Sequence, residues 1–255
     1  MISIFSLFSF LVVGQSKKTV AVVVEYNYIV TFQNPSYGKV ILKYLKDKSI
    51  SKTLADVIPE TKDGDEQNST VYETPMDLYQ SINLDNKTIV ATDRIFNSKY
   101  KVTEDLPVMN WKLSKDGESK IIDKFVCNKA TLSFRGRNYV AWYTPYISSQ
   151  FGPWKFYGLP GLILEVYDTD NNYHWTATKI NNQSAESFDF NVLDAQKVKQ
   201  QLTLRQFVEK TDEKTKAFMA TVRKSVSRGT VVDFGDFDKR SGPELKYEWE
   251  TDKKK

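Results

Sequence analysis

Short apolar runs, separated by turn-forming residues, recur along most of the chain. The first run covers residues 19–32 and is rich in β-branched and aromatic residues, and from Val24 onward its side chains alternate between two faces. The other runs are 39–45, 88–93, 100–106, 108–113, 120–126, 130–134, 138–144, 162–168 and 174–180. Short runs with turn signals between them are typical of antiparallel strands. The pattern predicts a mainly β protein, with an antiparallel meander that forms a barrel-like or curved sheet.

One segment late in the chain has a helical period instead. Apolar residues and threonines recur there at steps of three and four, which places them on one face of a helix. They are Leu204, Phe207, Val208, Thr211, Thr215, Phe218, Met219, Val222 and Val226. Thr203 and Gln206 form a capping-box pattern at the start, and Gly229 is suited to the end. We therefore expect one late amphipathic helix that packs against the sheet.

The remaining segments set the expected domain organisation. Residues 1–14 are uncharged and apolar, as in the core of a secretory signal peptide, although the basic residues that usually precede such a core are missing. This stretch is too short to span a bilayer, and a buried N-terminal strand is the alternative. We expect a single β-rich domain over residues 15–240, with a polar loop near residues 57–75. Residues 241–255, which end in a lysine run, are expected to be a disordered tail.

Composition excludes several kinds of chemistry. The net charge is only +4 and the charges of both signs are interspersed, whereas nucleic-acid-binding proteins concentrate positive charge on one surface. Cys127 is the only cysteine and His174 the only histidine. An intramolecular disulfide and a zinc or copper site built from these residue types are therefore excluded. We expect no metal site, no cofactor, no nucleic-acid partner and no transmembrane span.

The stretch KFYGLPGLILEVYD, residues 155–168, combines a turn with a long apolar run. Pro160 and Gly161 occupy the second and third positions of a four-residue turn, which is the pattern of a type II turn. After the turn, both faces of residues 162–168 are largely apolar. The turn is therefore expected to lead into a central strand of the sheet. A phosphate-binding loop is not expected, because the lysine and hydroxyl residues of such loops are missing.

One hexapeptide resembles the signature of the GLPGLI family, a family of exported proteins of Bacteroidota. Its residues are Gly158, Leu159, Pro160, Gly161, Leu162 and Ile163. The resemblance extends over residues 125–168, where Cys127, the Arg135-Gly136-Arg137 triplet, residues 141–144 and Gly152-Pro153 fall in the family's order. It implies a GLPGLI-type domain and export, and no established activity. A fainter resemblance links the chain to the N-terminal, non-catalytic module of a secreted flavobacterial peptide N-glycosidase, from which no catalytic residue carries over.

Four residues of this block are candidates for a binding site. Glu165 lies within an apolar strand, where an unpaired charge is costly, so we expect it to pair with Arg137 at the tip of a hairpin. Arg135, Arg137 and Trp142 together with Glu165 are predicted to bind an anion or carboxylate, or else to form a structural ion pair, which the sequence favours. We identify no catalytic residue. Cys127 is interpreted as a small buried apolar residue, and a single histidine without a motif is weak support for catalysis.

The sequence thus favours an exported protein of the periplasm or outer-membrane surface without catalytic activity. It would bind a small ligand or accompany an unknown envelope protein, with any site on the concave side of the sheet. The first alternative is a secreted hydrolase that uses carboxylates on glycans or peptides, which requires two carboxyl groups about 5–10 Å apart in a cleft. The second is a purely structural interaction protein, which predicts an exposed apolar patch or a long unpaired strand edge.

Overall fold

The computed structural model describes residues 21–31, 35–55, 77–115, 117–184, 189–225 and 240–250. The predicted signal peptide at residues 1–14 and the predicted polar loop near residues 57–75 lie outside these ranges, so both stay predictions.

Most of the described residues are in strands. The strands are β1 (Ala21–Val30), β2 (Ser36–Leu45), β3 (Lys48–Ala55), β4 (Leu78–Asn83), β5 (Thr88–Ile95), β6 (Ser98–Asp105), β7 (Lys112–Leu113), β8 (Ser119–Ile122), β9 (Phe125–Phe134), β10 (Arg137–Thr144), β11 (Leu162–Asp168), β12 (Tyr173–Ser184) and β13 (Gln201–Thr203). One α-helix, α1 (Leu204–Ser225), follows β13, and short 3-10 turns lie at Phe190–Leu193 and Glu248–Glu250.

All these strands belong to one curved sheet that does not close. Its order is β13-β6-β5-β4-β3-β2-β1-β12-β11-β10-β9-β7, and β8 also pairs with β9. Two antiparallel meanders, β1 to β6 and β9 to β12, are joined where β1 pairs with β12. The predicted mainly β meander is confirmed, with one exception: the short strand β13 runs parallel to β6 at one edge.

Strand β11 is central, as its sequence predicts. It lies between β10 and β12, and Tyr167 is the one residue of the strand that is not buried. The turn before β11 differs from the predicted type II turn. The Gly161 amide donates to the Leu159 carbonyl at 2.9 Å, which is a three-residue γ-turn around Pro160. Gly161 has a φ of +153° rather than the smaller positive φ of a type II turn.

The core lies on one face of the sheet, which we call the inner face. The loop between β10 and β11 packs onto it, because Phe151, Phe156 and Leu159 are at most 1% exposed. The rings of Trp154 and Trp175 stack with centroids 6.1 Å apart. The space on this side of the sheet, where a ligand site was expected, is therefore largely filled by the protein's own aromatic residues.

Helix α1 packs against the sheet, as predicted, and does so at the β6–β13 edge. Phe207 contacts Tyr100 edge-on, and Val208 and Met219 are also buried. The capping box forms: the Gln206 amide donates to Thr203 Oγ1 at 3.3 Å, and the Thr203 amide donates to Gln206 Oε1 at 3.0 Å. Gly229 lies outside the described residues. Within the described part of the chain, no helix has the length and hydropathy that a bilayer crossing requires.

Residues 240–250, which we call the C-terminal strap, cross the ends of β9, β10 and β12. The Tyr139 hydroxyl donates to the Pro243 carbonyl at 2.6 Å, and the Tyr173 hydroxyl donates to the Ser241 carbonyl at 2.7 Å. Tyr247 is buried in the cluster under α1. Residues 241–250 therefore differ from the disordered tail expected over 241–255, because specific hydrogen bonds compensate for their low apolar content. Residues 251–255 fall outside the described ranges.

Candidate functional site

The tip of the β9–β10 hairpin places Arg135 in a nearly buried ionic cluster. Arg135 and Gly136 both have positive φ, which turns the chain between the two strands. Arg135 Nη1 lies 2.8 Å from Glu104 Oε2 and also contacts Glu244, and Arg135 Nε donates to Glu248 Oε1 at 3.0 Å. The Arg135 carbonyl accepts backbone hydrogen bonds from the strap at Leu245 and Lys246. Arg135, which the sequence predicted as a binding residue, thus holds the strap against the tip of the β9–β10 hairpin.

Lys155 completes this cluster from the loop before β11. Its Nζ is 3.0 Å from both carboxylate oxygens of Glu244 and also contacts Glu104. Burial alone lowers the pKa of Lys155, but the charges of Glu244 and Glu104 outweigh burial and raise it. Lys155 therefore remains charged, and with Arg135 it neutralises the two buried glutamates.

Glu104 and Glu244 lie close together because both contact the same lysine and the same arginine. Carboxylate-dependent glycoside hydrolysis needs one carboxyl group that is kept protonated as an acid, next to one that is ionised. Here the same two cations, Arg135 and Lys155, contact both carboxylates, so the two glutamates have equivalent partners and nothing distinguishes an acid from a base. The arrangement suits structural charge compensation rather than acid–base catalysis.

Arg137 forms a second buried pair, on the inner side of β10. Its Nη1 is 2.9 Å from Asp168 Oδ2, and the two side chains are 4% and 1% exposed. Arg137 Nε also donates to the Gly242 carbonyl at 3.0 Å, and the guanidinium lies over the Tyr173 ring. Asp168 Oδ1 accepts the Tyr173 amide at 2.7 Å. Arg137 therefore links the β11–β12 turn to the strap.

The predicted pairing of Arg137 with Glu165 is wrong. Glu165 points to the opposite face of the sheet from Asp168, because successive side chains of a strand alternate. It contacts Lys120 of β8, and its Oε1 is 2.8 Å from His174 Nε2. Lys120 Nζ lies 4.6 Å from the centre of the Trp142 ring. The four predicted site residues are thus divided between two faces, and only Trp142 and Glu165 belong to the same cluster.

His174 does not have the geometry of a catalytic base in a triad. The same ring nitrogen, Nε2, faces both Glu165 and the Thr176 hydroxyl, which lies 3.1 Å away. In a triad, one imidazole nitrogen faces the carboxylate and the other faces the nucleophile. Among the described residues, no group of three or more histidine, cysteine, aspartate and glutamate side chains is arranged to hold a metal ion.

Cys127 is buried, and its Sγ donates to the Phe125 carbonyl at 3.5 Å. Burial raises the pKa of the Cys127 thiol to about 11. The thiolate, which is the reactive form, is therefore scarce at neutral pH. This agrees with the interpretation of Cys127 as an apolar core residue.

A large groove separates α1 from the C-terminal strap. Its volume is about 1000 Å³. The described lining residues are Phe207, Val208, Thr211, Asp212, Thr215, Lys216, Arg223, Arg240, Ser241, Gly242, Glu244, Leu245 and Tyr247. A shallower depression of about 480 Å³ lies between the β2–β3 and β4–β5 turns and includes Tyr157.

The edge of the sheet formed by β7 and β8 exposes apolar side chains. Ile121 of β8 is 71% exposed and lies directly opposite Val126 of β9, which is 41% exposed. Leu113 of β7 is also exposed and pairs in register with Ala130 of β9. Leu113 lies further along β9 than the adjoining pair Ile121 and Val126, and we call that pair the edge patch. Exposed apolar residues that cluster in this way are typical of protein contact surfaces.

Several residues of these clusters were missed by sequence reasoning. Lys155 is a single charged residue between Trp154 and Phe156. A lone lysine within an aromatic run indicates a buried ion pair, so the sequence did contain a signal for this residue. Lys120, Asp168 and Glu244 carry no comparable signal, because their partners are distant in sequence.

Comparisons with known proteins place the chain among proteins of similar sequence and fold. Residues 135–165 match the family model described as "Protein of unknown function (Porph_ging)". This stretch lies within the block that carries the family resemblance, and the match confirms the resemblance there. A comparison with curated protein sequences finds no match.

Two crystal forms of PNGF-II are among the similar solved structures. The form in space group P21 is 15% identical with a TM-score of 0.50, and the match covers 75% of this chain and 33% of that one. The form in space group C2 is 17% identical with a TM-score of 0.47, covering 86% and 37%. An outer membrane lipoprotein-sorting protein domain from Vibrio parahaemolyticus is 7% identical with a TM-score of 0.31, covering 70% and 92%.

At these identities the likeness to PNGF-II concerns the fold alone, and this chain spans about a third of the length of PNGF-II. It agrees with the fainter of the two resemblances found in the sequence. The chain is thus similar in its central block to a family of proteins of unknown function, and similar in fold to one third of PNGF-II.

Proposed function

We propose that this protein is a non-catalytic accessory protein of the periplasm or outer-membrane surface, which binds an envelope protein or a small ligand. The proposal rests on one observation: charged residues of the central block form ion pairs within the fold. Arg135, Arg137 and Glu165 each have an oppositely charged partner, and those partners belong to the same chain. Side chains that hold the fold together in this way are poorly suited to a reaction cycle.

Export is supported by the uncharged apolar stretch at residues 1–14 and by the family resemblance of the central block. The binding residues predicted from the sequence, Arg135, Arg137, Trp142 and Glu165, are proposed to act as structural supports. Their contacts on two faces of the sheet favour that role over a shared ligand site.

The edge patch favours a contact with another protein over a deep ligand pocket, and so supports the alternative of a structural interaction protein. Ile121 and Val126 lie side by side on a short hairpin at the sheet edge, where an apolar partner surface would remove both from water. Burying a side chain of this size contributes about 1.5–3 kcal/mol. A partner that contacts this patch is the form of the proposal that is easiest to test.

The test is a pull-down from envelope extract with the chain beginning at Gln15, followed by mass spectrometry of the retained proteins and small molecules. We expect one stoichiometric protein partner, which is lost with Ile121→Asp. The matched control is Ser133→Asp, which places the same charge at an exposed position of β9 and is expected to retain the partner. Turnover of glycans or peptides by the pure protein would contradict the proposal and support the hydrolase alternative.

A further inference from the structure

Strand β8 leaves one of its sides open at the edge of the sheet. In the described part of the sheet it pairs with β9 alone. The Lys129 amide of β9 donates to the Glu118 carbonyl, just before β8 begins, at 3.3 Å. Residues of an antiparallel pair alternate between bonding to the partner and facing away from it, so Ser119 and Ile121 direct their backbone groups away from β9. These are the groups to which an added strand would bond.

The side chains of this edge do not block an added strand. Lysine is a common guard of exposed strand edges. Lys120 of β8, however, contacts the Glu165 carboxylate and lies over the Trp142 ring, so its charge is compensated on one face of the sheet. Ile121 lies on the other face beside Val126 and is mostly exposed. The edge thus joins open backbone groups to an exposed apolar surface.

A second copy of β8 can pair antiparallel with this edge in three registers that place Ile121 opposite an outward-facing residue of β8 or of its turn. With Ile121 opposite Ser119, the two copies of Lys120 face each other. With Ile121 opposite Asp123, Lys120 faces Lys124. Like charges directly opposite each other destabilise a strand pair, so both of these registers are unfavourable.

The third register, with the two copies of Ile121 opposite each other, has complementary charges. It places Glu118 of each copy opposite Lys124 of the other, and no like charges face each other over residues 118–124. Opposite charges across a strand pair are stabilising. The two Ile121 side chains also come together on a two-fold axis, with Val126 of each copy beside them. Four apolar side chains would then form one continuous row across the joined sheets.

We propose that two copies of this protein associate by antiparallel pairing of β8 about a two-fold axis at Ile121. The inference rests on the proposed function, because it names a second copy as the protein that contacts the edge patch. A strand of four residues gives a small interface, and interfaces below about 1,200 Å² are typical of weak complexes. The dimer is therefore weak and forms as the protein concentration rises.

Sedimentation equilibrium from micromolar to millimolar concentrations tests the pairing. The wild-type protein should form a reversible dimer, whereas Ile121→Asp, which places two carboxylates against each other on the axis, should remain a monomer over the same range. Ser133→Asp is the matched control, since it adds the same charge at an exposed position of β9 and should dimerise like the wild type. Urea unfolding of both variants checks that they are folded.

A charge exchange tests the register. Glu118→Lys and Lys124→Glu should each weaken dimerisation by roughly tenfold, because each turns two attractive contacts into repulsive ones. An equimolar mixture of the two variants should dimerise about as well as the wild type, since both contacts of a mixed dimer again join opposite charges. Glu213→Lys and Lys216→Glu, at exposed positions of α1, make the same changes of net charge and should leave the dimerisation constant nearly unchanged.

Two results would overturn the inference. The first is a wild-type protein that stays monomeric at every concentration. The second is a dimer that persists in Ile121→Asp or that the mixture of charge variants does not restore. If a monomeric protein still retains a partner from envelope extract, and loses it with Ile121→Asp, a different protein occupies the edge patch and the proposed function stands. If neither a dimer nor such a partner is found, both proposals fail.

Discussion

At the scale of single residues, Gly161 is the position where the turn before β11 depends most on glycine. A side chain at Gly161 would collide with the Thr144 carbonyl oxygen, and its φ of +153° is itself unfavourable for other residues. Gly158 also has a positive φ, of +92°, but a side chain there would meet nothing within 4 Å. A side chain at Gly161 would therefore cause both a collision and backbone strain, whereas a side chain at Gly158 would cause backbone strain alone.

We predict that Gly161→Ala destabilises the protein far more than Gly158→Ala. The second change should cost about 1–2 kcal/mol for the backbone conformation. The first adds a collision with a main-chain atom and should cost several times as much, or prevent folding. Urea unfolding of the two variants measures the difference, and equal losses would show that the turn does not approach Thr144.

The contribution of Glu165 to the stability of the fold is expected to depend on pH. Burial raises the pKa of Glu165, but hydrogen bonds from His174 and Lys120 outweigh burial and lower it. A carboxyl group with a lowered pKa in the folded state stabilises the fold above its ordinary pKa of about 4.3. That contribution is lost as the pH falls through the lower pKa of the folded state.

Glu165→Gln should therefore lower stability at pH 7 and weaken the loss of stability below about pH 4. The measurement is the free energy of unfolding as a function of pH. Glu209→Gln, which removes an exposed carboxylate and its ion pair on α1, is the control and should change the free energy of unfolding at pH 7 by no more than about 0.5 kcal/mol. An unaltered acid profile in Glu165→Gln would mean that the contacts with Lys120 and His174 do not persist in solution.

Cys127 should be unreactive in the folded protein. With a thiol pKa of about 11 from burial, about one thiol in a thousand is ionised at pH 8. A thiol-specific reagent should label the protein in denaturant and leave the native protein unlabelled over the same time. Rapid labelling of the native protein would reopen the possibility of a nucleophilic cysteine.

At the scale of elements, the buried pair of Arg137 and Asp168 holds β10, the β11–β12 turn and the strap together. Removal of one partner leaves a buried charge without compensation, which typically costs about 3–5 kcal/mol. Arg137→Ala should therefore be strongly destabilising in urea. Arg205→Ala removes an exposed ion pair on α1 with Glu209 and should cost about 0.3–0.5 kcal/mol. Similar losses for both variants would argue against a buried pair.

The elements also show how far sequence reasoning reaches. Strand β11 and helix α1 were predictable, because the period of their apolar residues and the capping box at Thr203 are local signals. The partners of Glu165 were not predictable from the sequence. Its position in the strand fixes the face of the sheet on which its side chain lies, but not which distant lysine or histidine contacts it. Residues 241–250 carry few apolar side chains, so their fixed position depends on hydrogen bonds and ion pairs that only the assembled sheet provides.

At the scale of the whole molecule, the central block and the C-terminal strap form one unit. Arg135 and Lys155 neutralise Glu104 and Glu244, and Arg137 reaches both Asp168 and the strap backbone. The loop between β10 and β11 meanwhile fills the inner face of the curved sheet. The motif residues thus stabilise the architecture, and contacts with other molecules are expected at the periphery.

Truncation of the strap tests this account most directly. A chain that ends at Lys239 loses Glu244 and leaves Arg135 and Lys155 buried beside a single glutamate, whereas a chain that ends at Glu250 retains every described strap contact. Thermal unfolding should show a much lower midpoint, or no cooperative transition, for the first chain and an unchanged midpoint for the second. Equal midpoints for the two chains would contradict the account, because Arg135 and Arg137 would then not be needed to hold the strap.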